Sequence, residues 1–316
     1  MTQSRRAFLQ NAALTAAAAL CSRPDSSAVL APWAIDTHTH FYDPTRKQGV
    51  PWPPATETVL YKPHYPRAFQ RLTQPLHVVG TVVVEASPWV EDNQWILDLA
   101  KQNPFIVGFI GHLELGKPEF AANLKRFGAN PLFRGLRVSG RALANGLGQT
   151  PFEHDLLRLG EHQYALDVLG DGALLPHVVR AAKLAPSLRI VIDHLPFGEW
   201  DQDVMAMQRA LAQVAEAPNV YAKVSNVVRR VKGQVVETPE FYRPALGSLW
   251  KLFGADRLIF GSNWPVSNRV APYGVLHRIV ADYFLAEGPV AAEKFFWKNS
   301  LAAYRWVPRG AARRLA

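Results

Sequence analysis

Cysteine is almost absent: Cys21 is the single one in 316 residues. This excludes an intrachain disulfide framework and any cysteine-rich zinc module. No apolar run approaches the roughly 20 residues that cross a bilayer. The Ala-rich stretch ending at Leu20 is short and is interrupted by Thr15. No segment recurs at a fixed period, so solenoids and propellers are excluded. No glycine-rich phosphate turn follows the first apolar strand. No basic helix or aromatic–basic strip marks a nucleic-acid surface. Charged residues make up only 19% of the chain, but apolar residues make up 48%, with nine Trp and sixteen Phe. That composition excludes general disorder, and the length suffices for a sizeable core.

The net charge is +9, with Arg309, Arg313 and Arg314 in a basic C-terminal tail over 308–316. Such a balance either draws anionic substrates or is a solvated surface. The chain opens Ser4-Arg5-Arg6-Ala7-Phe8-Leu9. Two arginines before a mild apolar stretch resemble a twin-arginine export signal over residues 1–30. The resemblance implies a periplasmic or secreted enzyme with no stable membrane insertion after export. Cys21 follows Leu20, whereas a lipid-attachment cysteine usually follows a small residue.

From about residue 33 the chain alternates short apolar runs with amphipathic stretches, the pattern of parallel β/α architecture. Strands are expected at 32–36, 77–85, 105–113, 133–139, 165–169, 188–192, 220–224 and 258–260. Helix-like sequence trails each, and Asp201 is placed to cap the one carrying Val204, Met207 and Leu211. Eight such units point to an α/β fold, a (β/α)₈ TIM barrel, as a single domain over 31–307. Residues 43–75 carry seven prolines and many aromatics. They are too long and irregular for a simple connection and read as a functional loop.

The strongest chemical motif is Asp36-Thr37-His38-Thr39-His40 at the end of the first strand. Strict alternation would put Asp36, His38 and His40 on one face, looking into the barrel mouth. His194 ends a later strand and would meet them across that mouth. Three imidazoles can share a metal or hold a polarised oxygen. Glu85 ends the second strand as a base, a ligand or a plain surface charge. His112 ends the third. Lys223 shares a strand face with Tyr221 and Ser225, and an inward lysine needs a negative partner. Asp171 is either a base or a helix cap. Trp89, Trp200 and Trp264 are either an aromatic wall for a sugar-like ring or rim packing.

The last strand ends Phe260-Gly261-Ser262-Asn263-Trp264-Pro265. With the first-strand motif, Phe133-Arg134-Gly135-Leu136-Arg137, Ile192-Asp193-His194-Leu195, Val220-Tyr221-Ala222-Lys223 and Glu91-Asp92-Asn93, it resembles the amidohydrolase superfamily, lactonase-like amidohydrolase-2 branch. The similarity spans residues 34–305. It implies a barrel hydrolase that opens a lactone or related cyclic ester of a sugar acid or dicarboxylate. Within it, His38, His40 and His194 become possible ligands of one divalent metal, zinc or manganese, or organisers of the attacking water in a metal-independent enzyme. Arg137 becomes the carbonyl or carboxylate partner. His112, Lys223 and Trp264 join it as substrate-binding candidates, and Glu85 is a candidate base.

The family's acid after the last strand is replaced by Asn263; an amide is no base near neutral pH, but Asn263 stays a catalytic candidate that donates to a substrate oxygen or offers its carbonyl oxygen to a metal. No mid-barrel lysine is placed to form the carbamylated bridge of binuclear members. A metal-dependent decarboxylase of the same superfamily and a catalytically degenerate carbohydrate-binding barrel are the alternative readings. The expected partner is a small-molecule substrate, with no nucleic acid and a possible homo-oligomer.

Overall fold

The computed structural model describes residues 32–195 and 204–315. The expected export signal, Cys21, Trp200 and the Asp201 cap lie outside the described residues. Eight parallel strands follow chain order around the sheet: β1 Ala34–Thr39, β2 Val78–Val84, β3 Ile106–Gly111, β4 Phe133–Ser139, β5 Ala165–Leu169, β6 Arg189–Ile192, β7 Val220–Val224 and β8 Leu258–Phe260. β8 pairs with β7, and the ring is nearly closed on the other side by a parallel bridge between Thr39 and Trp264. Two 2.8 Å backbone bonds, His40 N–H to Trp264 O and Asn263 N–H to His38 O, complete that seam. The expected TIM barrel is therefore the fold.

The strands form as they do because their apolar residues alternate between two destinations. Ile35, Val82, Val84, Val107, Val191 and Ile259 are buried in one cluster with Trp297, Tyr304 and Trp306 of the C-terminal segment. Their neighbours Val83, Ile106, Ile190 and Phe260 belong to a larger cluster with helix residues such as Leu97, Phe127, Val178 and Phe284. The helices follow the expected positions, among them Val90–Gln102, Phe120–Gly128, Thr150–Glu161 and Tyr273–Ala286. A short helix over Gly140–Gly146 follows β4, begun by Ser139, whose hydroxyl accepts from Ala142 N–H. A short hairpin, Arg230–Val231 with Gln234–Val235, was not anticipated.

The proline-rich excursion is folded and pinned. Asp43 accepts from Thr45 and from the Tyr65 hydroxyl at 2.6 Å, and Arg46 holds Asp92 of the next helix at 2.8 Å. It includes one helix, Pro66–Thr73. Within the stretch read as a basic tail, Arg309 donates to the carbonyls of Ile106 and Ala100, and Ala312 is buried. Among the described residues no helix is long and apolar enough to cross a membrane.

Candidate active site

A cavity of about 1260 Å³ opens where the C-terminal strand ends converge. That is the end of a β/α barrel where loops from different strands can meet around one ligand. Of the expected site residues, His40, Glu85, His112, Arg137, His194 and Asn263 line it. Asp171 also faces it, but its carboxylate accepts from Ala173 N–H and caps a short helical turn. Trp52, from the proline-rich excursion, forms part of the wall, with its ring 6.1 Å from that of His40.

The three histidines gather as expected. The His38 ring lies 4.9 Å from His40 and 4.5 Å from His194, centroid to centroid. His38 is wholly buried and does not line the cavity. Asp36 departs from the expected arrangement. The register of β1 slips between Asp36 and Thr39, which breaks strict alternation. Asp36 thus turns away and accepts from the backbone N–H groups of His38 and Ser262 and from the Tyr273 hydroxyl. Burial pushes its carboxyl up to about 6. Its role is to hold the seam between β1 and the segment after β8.

Burial keeps all three imidazoles neutral. It is the largest cause in each case, lowering His40 to about 3 with help from Arg137, His194 to about 4, and His38 well below the ordinary range. His40 Nδ1 lies 2.9 Å from the Val84 carbonyl, so it carries the proton and donates. Its Nε2 then presents a lone pair to the Asn263 side chain 3.2 Å away. The structure turns Asn263 Oδ1 toward that nitrogen; because a neutral ring needs a donor there, the amide is assigned with its oxygen and nitrogen exchanged. His194 Nδ1 is 2.6 Å from Ser225 Oγ.

Arg137, at the end of β4, reaches Glu85 at the end of β2. Its Nε donates to Glu85 Oε1 at 2.8 Å and its Nη2 to the Glu85 carbonyl at 2.7 Å. The two side chains are 14% and 13% exposed, so the pair borders the cavity with little water around it. Although burial works against the charge, Glu85 and Asp193 raise the guanidinium's affinity for its proton.

Beneath the histidines lies a fully buried ionic group. The Lys223 ammonium is 2.6 Å from Asp167 Oδ2, 2.9 Å from Asp193 Oδ1 and 3.2 Å from His38 Nδ1. Tyr304 donates its hydroxyl to the other Asp167 oxygen at 2.9 Å. Burial pushes Asp167 up, while Lys223 overcomes burial and holds Asp193 well below the usual carboxylate range. Lys223 thus has the negative partners its inward position demanded, but it does not touch the cavity. Gly261 makes room for the group. A Cβ there would stand 2.9 Å from His38 Cβ and 3.3 Å from the Lys223 stem.

Trp264, expected near the substrate, packs instead among Phe41, His64 and Phe69 behind the seam. Trp89 is exposed and does not line the cavity. The sequence reading missed Trp52, Ser225, Asn226 and the two aspartates. Asp167 carried a usable signal, a lone charge inside the apolar strand Ala165–Leu169. Tyr304 carried none.

The amidohydrolase-2 family, described as amidohydrolase, matches residues 35–306. An L-fucono-1,5-lactonase of Burkholderia ambifaria is 31% identical over 284 residues, covering 86% of this chain and 95% of that protein. A second L-fucono-1,5-lactonase, of Burkholderia multivorans, is 26% identical and covers 89% and 98%. Among solved structures, a Burkholderia multivorans amidohydrolase with bound zinc superposes with a TM-score of 0.76 at 23% identity, covering 87% of this chain and all of that one.

Zinc in that neighbour poses a question of fit. Among the described residues, His38, Asp167 and Asp193 bring one donor atom each within 4.8 Å of one another. The Lys223 ammonium already stands among those donors at 2.6–3.2 Å. A divalent ion would face that positive charge at contact distance. His40, for its part, has both ring nitrogens engaged. The His38, Asp167 and Asp193 group as arranged does not fit a metal.

Proposed function

The chain belongs to the amidohydrolase family, and on that premise we propose that it hydrolyses a sugar-acid lactone by direct attack of water. The observation that carries the reading is a guanidinium pinned beside neutral imidazoles on one cavity wall. The two fucono-lactonase relatives support the lactone class. Arg137 uses Nε and Nη2 on Glu85, which leaves Nη1 for the carbonyl oxygen of the ester. With Glu85 balancing its charge, Arg137 suits a neutral polyhydroxylated ring better than a dicarboxylate, and the Glu85 carboxylate can accept from ring hydroxyls. Trp52 offers a face for the ring to rest on.

In the tautomer where His194 Nδ1–H donates to Ser225 Oγ, Nε2 holds the lone pair that takes the water proton. The water oxygen adds to the carbonyl carbon, and negative charge grows on the carbonyl oxygen beside Arg137. The tetrahedral adduct then breaks the ring C–O bond. His194 returns the proton to the leaving oxygen, giving a hydroxy acid. A lactone asks little of its base, so a weakly basic histidine serves where the family's carboxylate is replaced by Asn263.

The test is acid release from a panel of aldonolactones by the full chain. We expect turnover above spontaneous opening, and a 10- to 100-fold loss of kcat/KM in Arg137→Lys, which cannot make both contacts to Glu85 (roughly 1.4–3 kcal/mol). Tight binding of sugar acids with no turnover would instead identify a binding barrel, and carbon dioxide release a decarboxylase.

A further inference from the structure

The group beneath the cavity has no part in the steps above, yet it touches the central histidine. An ammonium has three protons to donate and nothing else to offer. Around Lys223 Nζ stand three acceptors, Asp167 Oδ2, Asp193 Oδ1 and His38 Nδ1, at 2.6, 2.9 and 3.2 Å. All four residues are fully buried, so no water competes for these positions. Asp193 Oδ1 also lies 3.3 Å from His38 Nδ1 and could in principle accept a proton from it. That arrangement would aim an N–H at the ammonium, and the contact lacks hydrogen-bond geometry: both Asp193 oxygens are without a hydrogen-bond partner, whereas Lys223 is hydrogen-bonded to His38 Nδ1 and Asp167 Oδ2. The hydrogen-bond geometry therefore favours a lone pair on His38 Nδ1, with the ring proton on Nε2. His38 Nε2 is buried and has no protein partner. The ring is flanked by His40 and His194, both of which line the cavity.

We infer that Lys223 is a positioning residue: its ammonium takes the place of a metal among His38, Asp167 and Asp193, and fixes His38 as a ring that carries its proton on the buried Nε2. The state of the ring does not rest on the lactonase reading.

Heteronuclear NMR of isotope-labelled histidine nitrogens in the intact protein reads the ring directly. His38→Gln identifies the signal by its loss. In the wild type we expect the directly bonded proton on Nε2 and an unprotonated Nδ1. In the paired variant Lys223→Met with Asp167→Asn, which removes one charge of each sign, we expect the proton to move to Nδ1 and Asp193. A wild-type His38 protonated on Nδ1 overturns the inference, and so does a paired variant that keeps the proton on Nε2. If the paired variant does not fold, the wild-type reading still decides. Lactone turnover enters none of these outcomes, so failure here is separate from failure of the proposed reaction.

Discussion

Restoring the family's carboxylate with Asn263→Asp tests how His40 is kept neutral. In the wild type, protonating His40 at pH 7 against a value of about 3 costs about 5 kcal/mol at 1.36 kcal/mol per pH unit. The substitution sets a carboxylate oxygen where the amide now lies, 3.2 Å from Nε2. At an effective dielectric of about 20, that contact is worth about 5 kcal/mol to an imidazolium. Both N–H groups of the charged ring would then have acceptors, the Val84 carbonyl and the new carboxylate. The two terms nearly cancel, so the His40 ring should titrate at about 5–7 in the variant, a rise at the upper end of what one adjacent opposite charge produces. The assay is an NMR pH titration of the His40 ring in both proteins, paired with the pH profile of kcat/KM, which should gain an ionisation in that window. A wild-type ring titrating near 6.5, or a variant ring that stays below 4, would refute both the hydrogen-bond assignment and the claim that burial controls His40.

Two further outcomes concern the frame. His277 is buried against Phe260 and Phe296, and burial lowers it from 6.5 to about 4. The unfolded chain takes up a proton at 6.5 while the folded ring stays neutral, so falling pH across that window favours unfolding by up to about 3 kcal/mol. His277→Phe should flatten the acid loss of stability between pH 6.5 and 4 in denaturant titrations; an unchanged slope would mean the ring is protonated in the fold. At Gly135, a side chain would strike the Ala165 backbone of the neighbouring strand. Gly135→Ala should therefore cost more than about 3 kcal/mol, read as a Tm drop of at least about 6 °C, and a wild-type Tm would contradict the close approach of β4 to β5.

The barrel was legible because its strands are short apolar runs and its helices carry one apolar face, both strictly local signals. The hairpin at 230–235 is two residues per strand, too short for any period to register. The histidine cluster was legible through strand-end position alone. Asp36 was misplaced because alternation holds only while register holds, and β1 slips there. Trp264 was misplaced because the chain leaves β8 through a left-handed residue, which no hydrophobic pattern encodes. Lys223 announced that it needed an anion. Which anion was a question of topology, since Asp167 and Asp193 come from the two strands preceding β7 around the ring.

His194, Asn226 and Asn263 stand just past β6, β7 and β8, and each holds a φ between 53° and 64°. All three line the cavity. L-residues other than glycine, asparagine, aspartate and a few polar relatives resist that conformation. The rim therefore admits a narrow alphabet of side chains, but within that alphabet an amide, an acid and an imidazole differ greatly in proton affinity while asking nearly the same of the backbone. A lineage can thus exchange one protonation chemistry for another at these three corners without rebuilding the barrel beneath them.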